Sequence, residues 1–189
     1  MTIDGNHVLV HDPQGKQPTH TRVVTSVIVL GRKVAIIQDA KLSQKEKLRA
    51  SNDIAAAADL LNKNADKLSV DEKRAIGEIS SILETASPKD YLGATGKGSM
   101  TLSKDYFEDF GVTSAWLGSL LAHEGQHYLN SGKYSGADLW RDEQSASRTQ
   151  LGVGNKIGFN TSEKTSLQNW MDDKNRDTMQ RHMEKGYTD

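Results

Sequence analysis

His123 and His127 lie four residues apart, and on an α-helix positions i and i+4 share one face, so both imidazoles can aim a ring nitrogen at a single metal ion. Glu124 follows the first histidine. A carboxylate in that position can take a proton from a water that the metal activates, and the water can then attack a carbonyl. The flanking residues favour the helix this chemistry needs. Thr113 or Ser114 is a good N-cap, Trp116 and Leu120 fall on the face of the two histidines, and Leu117 and Leu121 continue an apolar stripe beside them. Asn130-Ser131-Gly132 supplies C-cap chemistry, so the pattern predicts a helix over about residues 114–130.

A catalytic zinc takes three protein ligands and leaves a fourth position open. The third ligand is sought in the acidic stretch that follows, where Asp138 and Glu143 are the candidates, on a second predicted helix beginning near Ser135 or Gly136. There Glu143 shares a face with Trp140, Ala146, Ser147 and Gln150, and the small Ala146 and Ser147 would let this helix approach the first closely. Spacing favours Glu143, with Asp138 kept as the alternative.

The stretch His123-Glu124-Gly125-Gln126-His127 is an HExxH motif, and with Glu143 behind it the chain resembles the zincin clan of metallopeptidases, in particular the thermolysin-type gluzincins. The likeness is local, covering about residues 99–151. It implies a hydrolase: a zinc metallopeptidase with His123, His127 and Glu143 as Zn2+ ligands and Glu124 as general base and proton shuttle. Two features depart from the gluzincin pattern. The His127–Glu143 separation is shorter, and Ser147 stands where an aspartate often follows the glutamate ligand. Asn130 and Lys133 replace the Gly and His of metzincins, and Asp138 lacks most of the motif expected around an aspzincin ligand.

In zincins an edge strand ahead of the metal helix binds the substrate backbone. Ser99–Ser103 is the candidate for that strand, with an interior strand of a small sheet as the competing reading. The glycine-rich run Gly93–Gly98 lacks P-loop spacing and reads as a flexible loop. Zincins also recruit a Tyr or His from a later segment to stabilise the oxyanion, for which Tyr134, His182 and Tyr187 are candidates. His7, His11 and His20 sit in a polar N-terminal segment and read as solvated.

The chain has 189 residues, a net charge of −1 and no cysteine. That length suits one substantial core, so residues 1–189 read as a single domain. Without cysteine, disulfides and Cys-based zinc fingers are excluded, and a metal must rest on His, Asp and Glu. Basic residues are dispersed, which argues against a nucleic-acid surface. The longest apolar run, Val23–Leu30, is too short to insert into a membrane, so the chain reads as soluble, whether free or delivered as part of a larger secreted protein.

The expected fold class is α+β: a mainly helical, zincin-like domain with a small β-sheet. Residues 1–20 form a loose entry and 21–38 a β-hairpin turning over Gly31-Arg32-Lys33. Residues 43–87 read as a helical pair. The first helix starts at Ser51 or Asn52, or earlier near Ser43; the second starts at a Ser69 capping box and runs on through Ile76, Ile79, Leu83 and Ala86 until Pro88. Residues 99–151 hold the metal site. Residues 163–185 form a C-terminal helix with a capping box at Thr165–Gln168 and bear Leu167, Trp170, Met171, Met179 and Met183.

The function expected from these residues is hydrolysis of peptide bonds in a protein or peptide substrate. Two alternatives stand beside it: a toxin or effector metallopeptidase domain released from a larger bacterial protein, with an inhibitor or immunity protein as partner, and a non-catalytic zinc-containing binding module.

Overall fold

The computed structural model describes residues 6–8, 22–86, 92–94, 98–104, 106, 113–134 and 138–172. Two β-branched runs pair first. Strand β2 (Arg22–Val29) and strand β3 (Arg32–Gln38) form an antiparallel hairpin, and β1 (Asn6–Val8) pairs antiparallel with the outer side of β2. Val29 pairs with Arg32, so the turn is Leu30-Gly31, earlier than Gly31-Arg32-Lys33. Both turn residues have positive φ, 49° and 78°, as a two-residue turn matched to strand twist requires. Asn62 holds the strained Leu30. Its Oδ1 accepts from Leu30 N at 2.7 Å, and its Nδ2 donates to the Ile28 carbonyl at 2.8 Å.

Helix α1 (Gln44–Lys63) starts at a Ser43–Glu46 capping box, and α2 (Val70–Glu78) at a Ser69–Glu72 box, each satisfying two backbone donors reciprocally. The second helix is much shorter than its spacing suggested. It stops at Glu78, and Ser81–Thr85 is a strand, β4, paired in parallel with β3 through Ala35↔Ser81 to Gln38↔Glu84. Ile82 and Glu84 point inward and Leu83 outward, an alternation of two that coexists with the helical spacing of Ile76, Ile79 and Leu83. Parallel pairing decides between them, because α1 and α2 are the crossover such a pair needs.

The sheet is completed by β5 (Leu92–Ala94) and β6 (Ser99–Ser103), in the order β1-β2-β3-β4-β6-β5. Strand β6 is parallel to β4 on one side and antiparallel to β5 on the other. It is therefore interior, and Ser99–Ser103 is not an edge. The edge falls to β5, whose Gly93 and Ala94 belong to the run read as a flexible loop. Val34, Ile36, Ile82, Met100 and Leu102 from one face of the sheet join Ile54, Leu61, Ile76, Leu117 and Leu121 from the helices in one buried cluster. Burial of each such side chain stabilises by roughly 1.5–3 kcal/mol.

The helix that carries both histidines, α3 (Ser114–Asn130), is capped by Thr113, whose Oγ1 accepts from Trp116 N. Ala115, Gly118, Ala122 and Gly125 make a stripe of small residues along it, and this stripe sets how closely its neighbours pack. A Cβ on Gly125 would lie 1.8 Å from the Ala75 carbonyl oxygen of α2, and one on Gly118 would lie 3.3 Å from the Ala57 carbonyl oxygen of α1. Helix α4 (Leu139–Ile157) packs along α3 and ends at Gly158, whose φ of 116° allows the chain to reverse. Phe159 then folds back over Gly154 and stacks on Trp116.

Helix α5 (Thr161–Trp170) begins at an Asn160–Glu163 capping box, upstream of the Thr165–Gln168 box read from sequence; Thr165 is interior to it. Met179 and Met183 lie outside the described residues. Among the described residues, no helix is long and apolar enough to cross a membrane. The fold class is α+β: five helices and a mixed sheet of six strands among the described residues.

Candidate metal centre

Residues from two helices meet at one point. His123 and His127 lie one turn apart on α3, and Glu143 comes from the first half of α4. Ala146 and Ser147, which follow Glu143 by about one turn, are fully buried, and α4 packs along α3. His123 Nε2 and His127 Nε2 are 3.1 Å apart, and Glu143 Oε2 lies 3.2 Å from the first and 3.6 Å from the second. Among the described residues, these three side chains are the group of His, Asp and Glu that could hold a metal ion. Asp138 is not part of it. That side chain is half exposed at the start of α4 and pairs with Arg141 at 3.6 Å.

The spacing of the donors tests whether a metal fits. A tetrahedral zinc with bonds of about 2.0–2.1 Å separates its ligand atoms by about 3.3–3.4 Å. The three observed separations bracket that edge length. The donor set, two imidazole nitrogens and one carboxylate oxygen, is one zinc accepts. Cation demand is visible without any ion. Burial opposes the charged form of His123, but the charge and hydrogen bond of Glu143 and the charge of Glu124 outweigh it, and Gln150 adds to them, raising His123 to about 9. Two imidazole nitrogens and a carboxylate oxygen facing one another on a largely buried spot favour a positive charge there, carried by a proton on His123 or by a metal ion.

The outer nitrogen of His127 is fixed by groups the sequence reading did not single out. Its Nδ1 donates to Asp142 Oδ2 at 2.9 Å, and Asp142 Oδ1 accepts from Asn130 Nδ2 at 2.7 Å. Asn130 Oδ1 in turn accepts from Gln126 Nε2 at 2.9 Å, and Gln126 Oε1 accepts from Thr149 at 3.1 Å. The chain runs from α4 to α3 and back. Its effect is to place the proton of His127 on Nδ1, leaving the Nε2 lone pair directed at the cluster. His123 Nδ1 and Gln150 Nε2 are both buried and outside any well-formed hydrogen bond. Asn130 was read from sequence as a cap and as a departure from the metzincin pattern; its further signal is its i,i+4 relation to Gln126.

Glu124 is 5% exposed and lies on the α3 face that also carries Tyr128 and Leu117. Burial raises its pKa, the two histidines lower it, and the charges of Glu143 and Asp142 raise it again, with a net upward shift. Two tyrosines feel its charge. Tyr128 donates to the Ser99 carbonyl at 2.8 Å and accepts from Ser99 N at 3.2 Å, which ties α3 to the start of β6. Tyr106 is buried, and burial together with Glu124 keeps it protonated. Neither was among the candidates for the oxyanion. Of those, Tyr134 is half-buried in the turn after α3, while His182 and Tyr187 lie outside the described residues, as do His11 and His20.

No protein-family model matches this chain, and comparison with curated proteins and with solved structures finds no match. A functional reading therefore rests on the geometry and chemistry of these residues.

Proposed function

We propose that the chain is a zinc-dependent peptidase of the zincin type, gluzincin-like in its ligand set, that hydrolyses peptide bonds with Glu124 as general base. The observation that carries this reading is the convergence of His123 Nε2, His127 Nε2 and Glu143 Oε2 at tetrahedral spacing, beside a buried carboxylate outside the ligand set. Zinc held there would polarise the scissile carbonyl and bring the pKa of water near 7. Glu124 takes the proton released by the water and passes it to the leaving amine. Burial, which raises its pKa, suits a group that must both accept and return a proton near neutrality. Asp142 and Asn130 keep His127 in the tautomer that presents Nε2. Among the described residues, the strand that ends the sheet on this side is β5, which runs alongside α3, and its outer edge is the ladder an extended substrate would use. Pairing there would give affinity with little side-chain preference.

The experiment is Glu124→Gln, with zinc content and turnover of an unstructured protein substrate measured together. Zinc content and melting temperature should stay at the parental values while turnover falls by about 10²–10⁴-fold. Parental turnover in Glu124→Gln would contradict the role of Glu124. A zinc-loaded parent that cleaves no protein or peptide would favour a binding module over a peptidase.

A further inference from the structure

Two nitrogens at the contact between α3 and α4 are buried without a well-formed hydrogen bond, His123 Nδ1 and Gln150 Nε2. A buried polar group left unpaired is costly, so a pair of them in one place asks for a reason. The two helices run in opposite directions here, because Asn130 meets Asp142 while Gln126, one turn earlier on α3, meets Thr149. His123 is nearly one turn earlier still. The side chains of α4 whose polar groups come within hydrogen-bond reach of its ring are Glu143 and Gln150. Glu143 takes the Nε2 side, at 3.2 Å. Gln150 lies seven residues beyond Glu143 on the same face of α4, about 10 Å further along the helix axis, so the imidazole sits between them with Nδ1 left to the amide. Gln150 is 2% exposed, and no other group holds its NH2, which leaves the amide free to turn its oxygen to the ring.

We propose that Gln150 is the positioning residue of His123: its amide oxygen accepts a hydrogen bond from Nδ1–H and keeps Nε2 directed at the metal. The proposal rests on the metal-centre reading and not on peptidase activity. A metal on Nε2 confines the ring proton to Nδ1, where burial demands an acceptor. Asp142 fills this role for His127 with a carboxylate. Gln150 fills it with a neutral group, and so fixes the second ring without adding charge to a spot where Glu124, Glu143 and Asp142 already act on one another.

The test compares Gln150→Met, which keeps the bulk and removes the acceptor, with Gln150→Glu, which keeps an acceptor. Zinc affinity is read by competition against a chromophoric chelator, and the histidine rings of the full chain by nitrogen NMR. In the zinc-loaded parent the His123 Nδ1 proton should be protected from exchange with water and show a nuclear Overhauser contact to the Gln150 side chain. Gln150→Met should weaken zinc by about 10- to 100-fold and lose that protection, with the melting temperature of the metal-free chain undiminished. Gln150→Glu should bind zinc at least as tightly as the parent. Parental zinc affinity in Gln150→Met, equal losses in both variants, or a freely exchanging Nδ1 proton in the parent would each overturn the proposal and leave the zinc site standing. A parent that binds no zinc would overturn the metal-centre reading and this proposal with it. Should Gln150→Met fail to fold, exchange of the Nδ1 proton in the parent still decides.

Discussion

Asp142→Asn separates the positioning of His127 from ligation. The substitution keeps shape and removes charge from a group that accepts the His127 Nδ1–H hydrogen bond at 2.9 Å. A zinc on the far side of the imidazole would sit about 7 Å from Asp142 Oδ2, adding the ring and a bond of about 2 Å to that hydrogen bond. A −1 charge and a +2 charge at that distance attract by about 1 kcal/mol at water-like dielectric and about 5 kcal/mol at an effective dielectric of 20. Asp142 is 14% exposed, which places it between these limits. The expected loss is therefore 10- to 100-fold in zinc affinity, about 1.4–2.7 kcal/mol, the usual range for a group that orients a ligand. Competition against a chromophoric chelator at constant pH reads this directly, with circular dichroism to establish that the fold is retained. Zinc affinity within about twofold of the parent would refute the orienting role. A loss as large as that of a ligand deletion would refute the geometry, because it would make Asp142 itself a ligand.

In the same competition assay, Glu143→Ala should weaken zinc by more than about 10³-fold, whereas Asp138→Ala, on an exposed side chain paired with Arg141, should change it by less than about threefold. Gly125→Ala should destabilise by more than about 3 kcal/mol in denaturant unfolding, or prevent folding. Its Cβ would meet the Ala75 carbonyl oxygen at 1.8 Å, so the usual helix-propensity gain of about 1 kcal/mol from Gly to Ala is reversed. Glu84 predicts a pH dependence of stability. Burial raises its carboxyl from 4.5 to about 7, with Glu46 adding to the rise and Gln38 and Lys47 opposing it. Because the folded pKa is the higher one, this contribution is fully present below about pH 4.5, declines as pH rises to about 7 and is flat above. At 1.36 kcal/mol per pH unit the decline is at most about 3 kcal/mol, and solvent screening brings it nearer 2. Glu84→Gln should remove that slope in chemical unfolding across pH 4–8, and an unchanged slope would assign it to another group.

The parts of this molecule written in local chemistry are legible in its sequence. The i,i+4 spacing of His123 and His127, Thr113 before the helix and Gly132 after it delimit α3, because helix period and cap geometry depend only on neighbours along the chain. The approach of Glu143 can be read from Ala146 and Ser147, since a helix that must come close carries small residues at the contact. Asp142 could not be read in this way. Two adjacent carboxylates point about 100° apart on a helix, and only the placement of α4 against α3 shows that the shorter one reaches Nδ1 of His127 while the longer reaches the cluster. Strand β4 was hidden for the opposite reason. Ile76, Ile79 and Leu83 fit a helical stripe, and what makes Ser81–Thr85 a strand is pairing with residues more than 15 positions away on both sides. The interior position of β6 has the same origin, because an edge is a property of the assembled sheet. Gly125 shows the limit most sharply: the helix requires no glycine there, and the reason for one is a carbonyl of α2.

The central claim is that His123, His127 and Glu143 hold one zinc ion, and anomalous diffraction at the zinc edge from crystals of the zinc-loaded chain tests it most directly. The account predicts a single strong peak about 2.0–2.2 Å from His123 Nε2, His127 Nε2 and a Glu143 carboxylate oxygen, with Glu124 outside bonding distance. A peak bound by Asp138 in place of Glu143, or no peak between the two histidines, would contradict it.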